Sequence, residues 1–325
     1  MTQQLTTAQL KTFVETVDQF EQYRSMTLYE KEELVKDILS RPYMDLMCDW
    51  AFKYIMSDME NAKMLISDIL GIELNTVAPL PGELMRNRPN DKNIIMDVLC
   101  TDDVGNSFIV EMQRKQKKDF KNRMFYYGAS SVHFQLSPGD PYSNLKPVYV
   151  ICFMNFTFQH DDDKLIYRYE LRENGSGELY GDQLRIVFCE LPRLKKHAMR
   201  EMDSVESWFY LFRNIRNFVA VPEGMNKRYE RIVSAAKMPL LSDEDMKYYL
   251  RAMISESEKL ELIEDGRALG LEEGFTRGMA KGRQEGQQES RMDIARAMLT
   301  DGLDIAKVAQ YTGLSAEEVQ ALAAK

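Results

Sequence analysis

Between Leu5 and Leu39 apolar residues return at helical spacing among acids and lysines, and Arg41-Pro42 then breaks the pattern, which predicts an N-terminal helical extension over residues 1–40. In DWAFKYIMSDMENAKMLISDILGI the helical period continues through Phe52, Ile55, Met56, Met64, Ile66, Ile69 and Leu70, with Gly71 as a stop, so two short helices are expected. The period then changes to two. Asn93–Cys100 and Ser107–Gln113 read as strands on either side of the turn-forming run Thr101–Asn106, which predicts a β-hairpin. Arg114–Phe134 resumes a helical pattern, Pro147–Phe158 and Gln183–Leu191 read as further buried strands, and His160–Asp163 reads as a loop. The resulting order is helix, strand, strand, helix, strand, strand.

Further on, Gly266, Gly270, Gly274, Gly278, Gly282 and Gly286 repeat every four residues within charged sequence. On a helix they form one slowly rotating stripe that lets another backbone approach, which suggests homo-oligomerisation through the tail; a charged flexible linker is the alternative. From Arg291 the pattern is helical again, with breaks at Gly302 and Gly313 that imply three short helices. Ala309, Gly313 and Val319 fall at helix-turn-helix spacing. Glu317 and Glu318 stand where a DNA reader usually carries donors, so a structural or protein-contact role ranks above DNA reading for this unit. The expected divisions are 1–40, a domain over 41–218, a helical connector over 219–262, the glycine segment over 263–287 and a small helical unit over 288–325.

Composition narrows the picture. Hydrophobic residues make up 44% and charged residues 29% of the 325, as expected of a folded globular chain. The N-terminus lacks the pattern of a secretory signal, and the most apolar stretch, Val148–Phe158, is about half of the roughly 20 residues that a membrane span needs. A cytoplasmic protein that does not enter membranes is expected. Cys48, Cys100, Cys152 and Cys189 are widely separated, which argues against a zinc site or disulfide framework and for buried free thiols. The net charge of -9 repels nucleic acid at long range, so any DNA-binding surface has to be a local basic patch.

Such a patch adjoins the hairpin. Side chains alternate at period two, so Ile95, Asp97 and Leu99 share one face of the first strand and Ile109, Glu111 and Gln113 share one face of the second. Folding about the Asp102–Gly105 turn brings Asp97 roughly opposite Val110 and Glu111, close enough for both acids to grip one cation. Two carboxylates beside apolar neighbours repel each other unless a divalent ion sits between them; magnesium is the natural candidate, with manganese as the alternative. Arg114, Lys115, Lys117, Lys118, Lys121 and Arg123 follow directly, placed to neutralise phosphates of bound DNA. The spacing is equally compatible with a solvated hairpin edge and a charged helix face. His133, His160 and His197 are isolated and receive no role.

The ordered motifs DWAFKYIM, IIMDVLC, SFIVEMQ, FKNRMFYYGASSVHFQLSPGDPYSNLKPVYVICFMNF and IVFCELPRL resemble the Rpn family of recombination-promoting nucleases, also described as PD-(D/E)XK nuclease family transposases, over about Arg41–Trp208. The resemblance implies an α/β, restriction-endonuclease-like PD-(D/E)XK core, a mixed sheet flanked by helices, with an all-helical C-terminal tail. It implies a magnesium-dependent DNA endonuclease linked to recombination, mobile elements or phage defence. Asp97 and Glu111 are then the metal ligands, Gln113 occupies the lysine position, and Asp49 is the acid of the preceding helix. An acid at a helix start is often a cap, so Asp49 carries that reading beside the catalytic one. Gln113 departs from the wider superfamily, since a neutral amide orients by hydrogen bonds but brings no charge. Lys53, Arg123, Tyr126 and Tyr127 either contact DNA or pack on the sheet, with packing expected for the tyrosines. The alternative is an inactive PD-(D/E)XK-fold interaction or regulatory protein that oligomerises through its tail.

Overall fold

The computed structural model describes residues 5–84, 94–158, 160, 162–255, 279, 286 and 288–323, and the chain divides into two compact units, Met1–Ser257 and Glu258–Lys325. The first unit is a mixed sheet with helices on both faces. Its elements are α1 (Thr7–Val17), α2 (Leu28–Leu39), α3 (Asp49–Met56), α4 (Met59–Leu70), β1 (Val77–Pro79), β2 (Glu83–Leu84), β3 (Ile94–Ile95), β4 (Val98–Asp102), β5 (Ser107–Gln113), α5 (Phe120–His133), β6 (Val148–Met154), β7 (Ile166–Tyr169), β8 (Leu184–Glu190), α6 (Ser204–Asn214) and α7 (Glu230–Ala235). Six strands lie in the order β1-β4-β5-β6-β8-β7, while β2 and β3 form a separate two-stranded ladder. β5, β6 and β8 run parallel, and the pairs β1–β4, β4–β5 and β7–β8 are antiparallel. Every residue of the apolar run VYVICFM is buried, as a central parallel strand covered on both faces requires.

Alternate strand residues feed two cores. Val98, Cys100, Phe108, Val110, Ile151 and Phe153 face α3, α4 and α6, through Phe52, Leu65, Ile66 and Phe212. Leu99, Ile109, Val150, Cys152 and Phe188 face α5, through Phe120 and Met124. α5 lies hard against the sheet because residue 128 is glycine: a Cβ there would stand 2.4 Å from Leu184 Cδ1 and 2.9 Å from Val150 Cγ2. All four cysteines are free and buried.

The region expected as an extension over 1–40 is two capped helices, α1 behind Thr6 and α2 behind Thr27, each with a reciprocal capping box. Phe13, Val17, Val35 and Leu39 enter the same core as Phe52 and Phe212. So do Tyr249, Leu250 and Ile254, from the helix over 243–255, in the segment expected as a connector. Backbone bonds from Met44 N–H to Ala236 O (2.8 Å) and from Met238 N–H to Pro42 O (3.0 Å) join the segment after α2 to the segment after α7. Amphipathic patterning located the helices; it carried no information about which core they entered.

In the second unit, helices over 288–300, Ile305–Thr312 and Ala316–Ala323 enclose Ala295, Val308, Leu314 and Val319. Gly302 and Gly313 adopt φ of +83° and +70°, so glycine is required at both breaks. Glu318 completes a capping box with Ser315. Gly266, Gly270, Gly274, Gly278 and Gly282 of the four-residue repeat lie outside the described residues; Gly286 is helical. Among the described residues no helix is long and apolar enough to cross a membrane.

Candidate active site

β4 and β5 form the hairpin in the register Val98 with Val110 and Leu99 with Ile109. Asp102 accepts the Val104 and Asn106 N–H groups through Oδ1, and Gly105 turns the chain at φ +94°. Extended by one position, the register sets Asp97 opposite Glu111, and there backbone pairing stops. Asp97 N–H donates to Glu111 Oε1 (3.1 Å), and Met112 N–H donates to Asp97 Oδ2 (2.9 Å). Carboxylate oxygens thus take donors that a continued ladder would give to carbonyls. The unbroken strand expected over Asn93–Cys100 is interrupted for this reason: Ile94–Ile95 pairs with β2 instead, and Ile95 is exposed rather than sharing the buried face of Leu99.

Asp49 opens α3. The cap position belongs to Cys48, which makes no side-chain capping bond, and the Asp49 carboxylate turns to Lys53 Nζ at 2.9 Å, one helical turn on. The same ammonium lies 3.3 Å from Asp97 Oδ1. Asp49, Lys53, Asp97 and Glu111 therefore converge from the start of α3, from the residue before β4, and from β5.

Burial pushes the Asp97 carboxyl up to about 7, and the Asp49 charge adds to that push against the pull of Lys53. Burial likewise raises Glu111 to about 8, reinforced by Asp97 and opposed by the Asp97 N–H, Arg123 and Lys53. For Lys53, burial lowers the pKa, but the carboxylates of Asp97 and Asp49 together outweigh it and the net shift is upward. Two acids held against their own ionisation are the electrostatic signature of a site that favours a cation.

Gln113 reaches the same edge, where its Oε1 accepts from Arg123 Nη2 (2.5 Å) on α5. Tyr127, one turn further along α5, packs against the α5-side core, and burial followed by the Glu111 charge raises its pKa. Tyr126 is exposed.

The basic run divides. The helix predicted from Arg114 begins at Phe120, because Gln113 and Arg114 stay tied to neighbours: Asn155 N–H donates to Gln113 O (2.9 Å), and Arg114 Nη2 bonds Asp45 Oδ2 (2.9 Å). Arg114 follows Gln113 in the period-two alternation and points to the opposite face, where buried Asp45 also has Arg216 at 3.6 Å. Lys115, Lys117 and Lys118 occupy the connecting loop. Lys121 Nζ lies 4.1 Å from the Phe158 ring centroid.

The contact between Lys53 and Asp97 went unforeseen. The four-residue spacing of Asp49 and Lys53 signals that they share a helix face, but nothing local signals that this face meets a strand 44 positions away.

The fold and this edge define a PD-(D/E)XK-type core. A family model for the PD-(D/E)XK nuclease family transposase matches residues 46–265, and one for the Rpn/YhgA-like nuclease family, C-terminal HTH domain, matches residues 288–324. The chain belongs to the PD-(D/E)XK nuclease family transposases and carries the Rpn-type C-terminal unit, which gives it a nuclease and recombination-related role. No curated protein matches it, and no solved structure does. The C-terminal match implies DNA contact for the helical unit, contrary to the ranking drawn from Glu317 and Glu318; Glu318, for its part, is engaged in helix capping.

Nucleases of this class use divalent metal ions. Among the described residues, no three His, Cys, Asp or Glu side chains form a group able to hold a metal by themselves. A pair of hard oxygen donors at Asp97 and Glu111 fits magnesium, which is commonly held by one or two carboxylates, with waters and substrate phosphate completing its shell.

Proposed function

We propose that this chain is a divalent-metal-dependent DNA endonuclease that hydrolyses phosphodiester bonds at the Asp97–Glu111 edge, with magnesium as the working ion and manganese able to replace it. The observation that carries this reading is the acid pair itself: two facing carboxyls, Glu111 accepting the Asp97 N–H and Asp97 accepting the Met112 N–H, each raised towards or above neutrality. An acid pair kept for packing alone would be better served by amides of the same shape.

In this reading Asp97 and Glu111 hold the ion, which supplies Lewis-acid polarisation of the phosphate and activation of water. Gln113, oriented by Arg123, offers its amide to the attacking water. Asp49 fixes Lys53 beside Asp97. Hydrolysis forms a P–O bond from water and breaks the P–O bond to the leaving sugar oxygen, which takes up a proton as the water loses one. Lys115, Lys117, Lys118 and Lys121 hold flanking phosphates, whereas Arg114 secures Asp45 and Arg123 secures Gln113.

The test is cleavage of supercoiled plasmid by the full chain in magnesium, manganese or chelator, with Asp97→Asn and Glu111→Gln alongside. Nicking or linearisation that requires the ion and is lost in both variants is the expected result. Intact plasmid in every metal, with protein that remains folded, refutes the proposal.

A further inference from the structure

Hydrolysis places additional negative charge on a phosphate beside two acids, and a site that performs it gains from a fixed positive group. Gln113 cannot supply one, being neutral. Arg123 is cationic, but its Nη2 is directed to Gln113 Oε1, and its guanidinium lies 5.6 Å from the Phe120 ring centroid. Lys53 differs: its Nζ stands 3.3 Å from Asp97 Oδ1 and 2.9 Å from Asp49 Oδ1.

The position is built. α3 buries Ala51, Phe52, Ile55 and Met56 on its inner face, so the helix start is anchored and the lysine stem has a fixed origin. An ordinary exposed lysine–aspartate pair one turn apart contributes little to stability and needs no third partner. Here the third partner is a strand carboxylate whose side chain is 11% exposed, while the lysine side chain remains 36% exposed and open to an incoming molecule. Any phosphate bound at Asp97 lies within reach of Nζ.

We propose that Lys53 is a catalytic residue of this site: its ammonium, delivered from α3, donates hydrogen bonds to the scissile phosphate and supplies the positive charge that Gln113 lacks. The proposal rests on the nuclease reading above. Lys53 transfers nothing; it stabilises charge while water and the leaving oxygen exchange the bond to phosphorus.

The experiment compares full-chain wild type, Lys53→Met and Lys53→Arg in two assays, plasmid cleavage in magnesium and calorimetric titration with magnesium or manganese in the absence of DNA. Lys53→Met is expected to cut about 100-fold more slowly, and Lys53→Arg to recover to within about tenfold of wild type. In the DNA-free titration Lys53→Met is expected to bind metal about tenfold more tightly, because a like charge has been removed from the ligand cluster. A structural role moves the second assay the other way, towards weaker binding and a lower melting temperature, and that result overturns the assignment. So does a Lys53→Met protein that cuts within about threefold of an active wild type, or an arginine variant no better than the methionine one. A wild type that leaves plasmid intact in both metals instead overturns the nuclease reading itself, and the catalytic role falls with it.

Discussion

Glu111 and Glu190 are both buried glutamates on the α5 face of one sheet, at the ends of parallel strands with only β6 between them. Their surroundings are opposite. Glu190 accepts from Arg193 Nε through one oxygen and from the Phe158 N–H (3.0 Å) through the other, with His160 Nε2 at 3.3 Å. Glu111 accepts one backbone N–H and faces a second acid. Burial is the same; compensation is not. A buried carboxylate closed off by a guanidinium fastens a loop, whereas one set beside another carboxylate keeps a raised pKa even with Arg123 and Lys53 nearby.

Exchanging each acid for its amide separates the two roles. The largest effect is expected for Glu111→Gln, with plasmid cleavage in magnesium falling about 1000-fold while the fold is retained. Glu190→Gln should act on stability instead: it removes the charge that holds Arg193, whose side chain is 12% exposed, and lowers the midpoint of urea unfolding, with metal affinity at Asp97–Glu111 unchanged. Equal cleavage losses in the two variants would erase the distinction between them.

The pH dependence sharpens it further. The Glu111 carboxyl is raised from its ordinary 4.5 to about 8, so the metal-free folded state binds a proton more tightly than the unfolded chain does. Its stabilising contribution is complete below about pH 4.5 and is lost as pH rises towards 8. Glu111→Gln removes that loss and should exceed wild type by up to roughly 4 kcal/mol in chelator at pH 8.5, an advantage absent at pH 4.5. Thermal or urea unfolding at the two pH values decides it. A constant difference across the range would mean that Glu111 does not titrate as the site requires. The smallest effect concerns the helix that brings Arg123 and Tyr127 to the edge: Gly128→Ala forces α5 off Leu184 and Val150, costing about 1–3 kcal/mol in unfolding free energy.

The hairpin and its acids were legible because a two-residue period is written in adjacent letters: Ile109, Glu111 and Gln113 could be assigned to one face without knowledge of the rest of the molecule. The same period already placed Arg114 on the other face, and reading it as part of a basic helix overrode that signal. β1 and β7 escaped notice because VAP contains a proline and IYRY is only half-buried, so neither resembles an interior strand. The break at Asp97 was illegible for a different reason: it arises from side-chain oxygens competing with carbonyls, which residue hydropathy does not encode. Lys53 needed a tertiary contact to acquire its place.

The joining of Pro42 and Met44 to Ala236 and Met238 bears on the order in which the molecule is made. Asp49, Lys53, Asp97, Glu111, Gln113 and Arg123 have all left the ribosome long before Tyr249, Leu250 and Ile254, which pack in the same core as α1 and α2. During synthesis these side chains therefore precede the packing that holds them rigid, and the nascent chain carries them without the frame that sets their geometry.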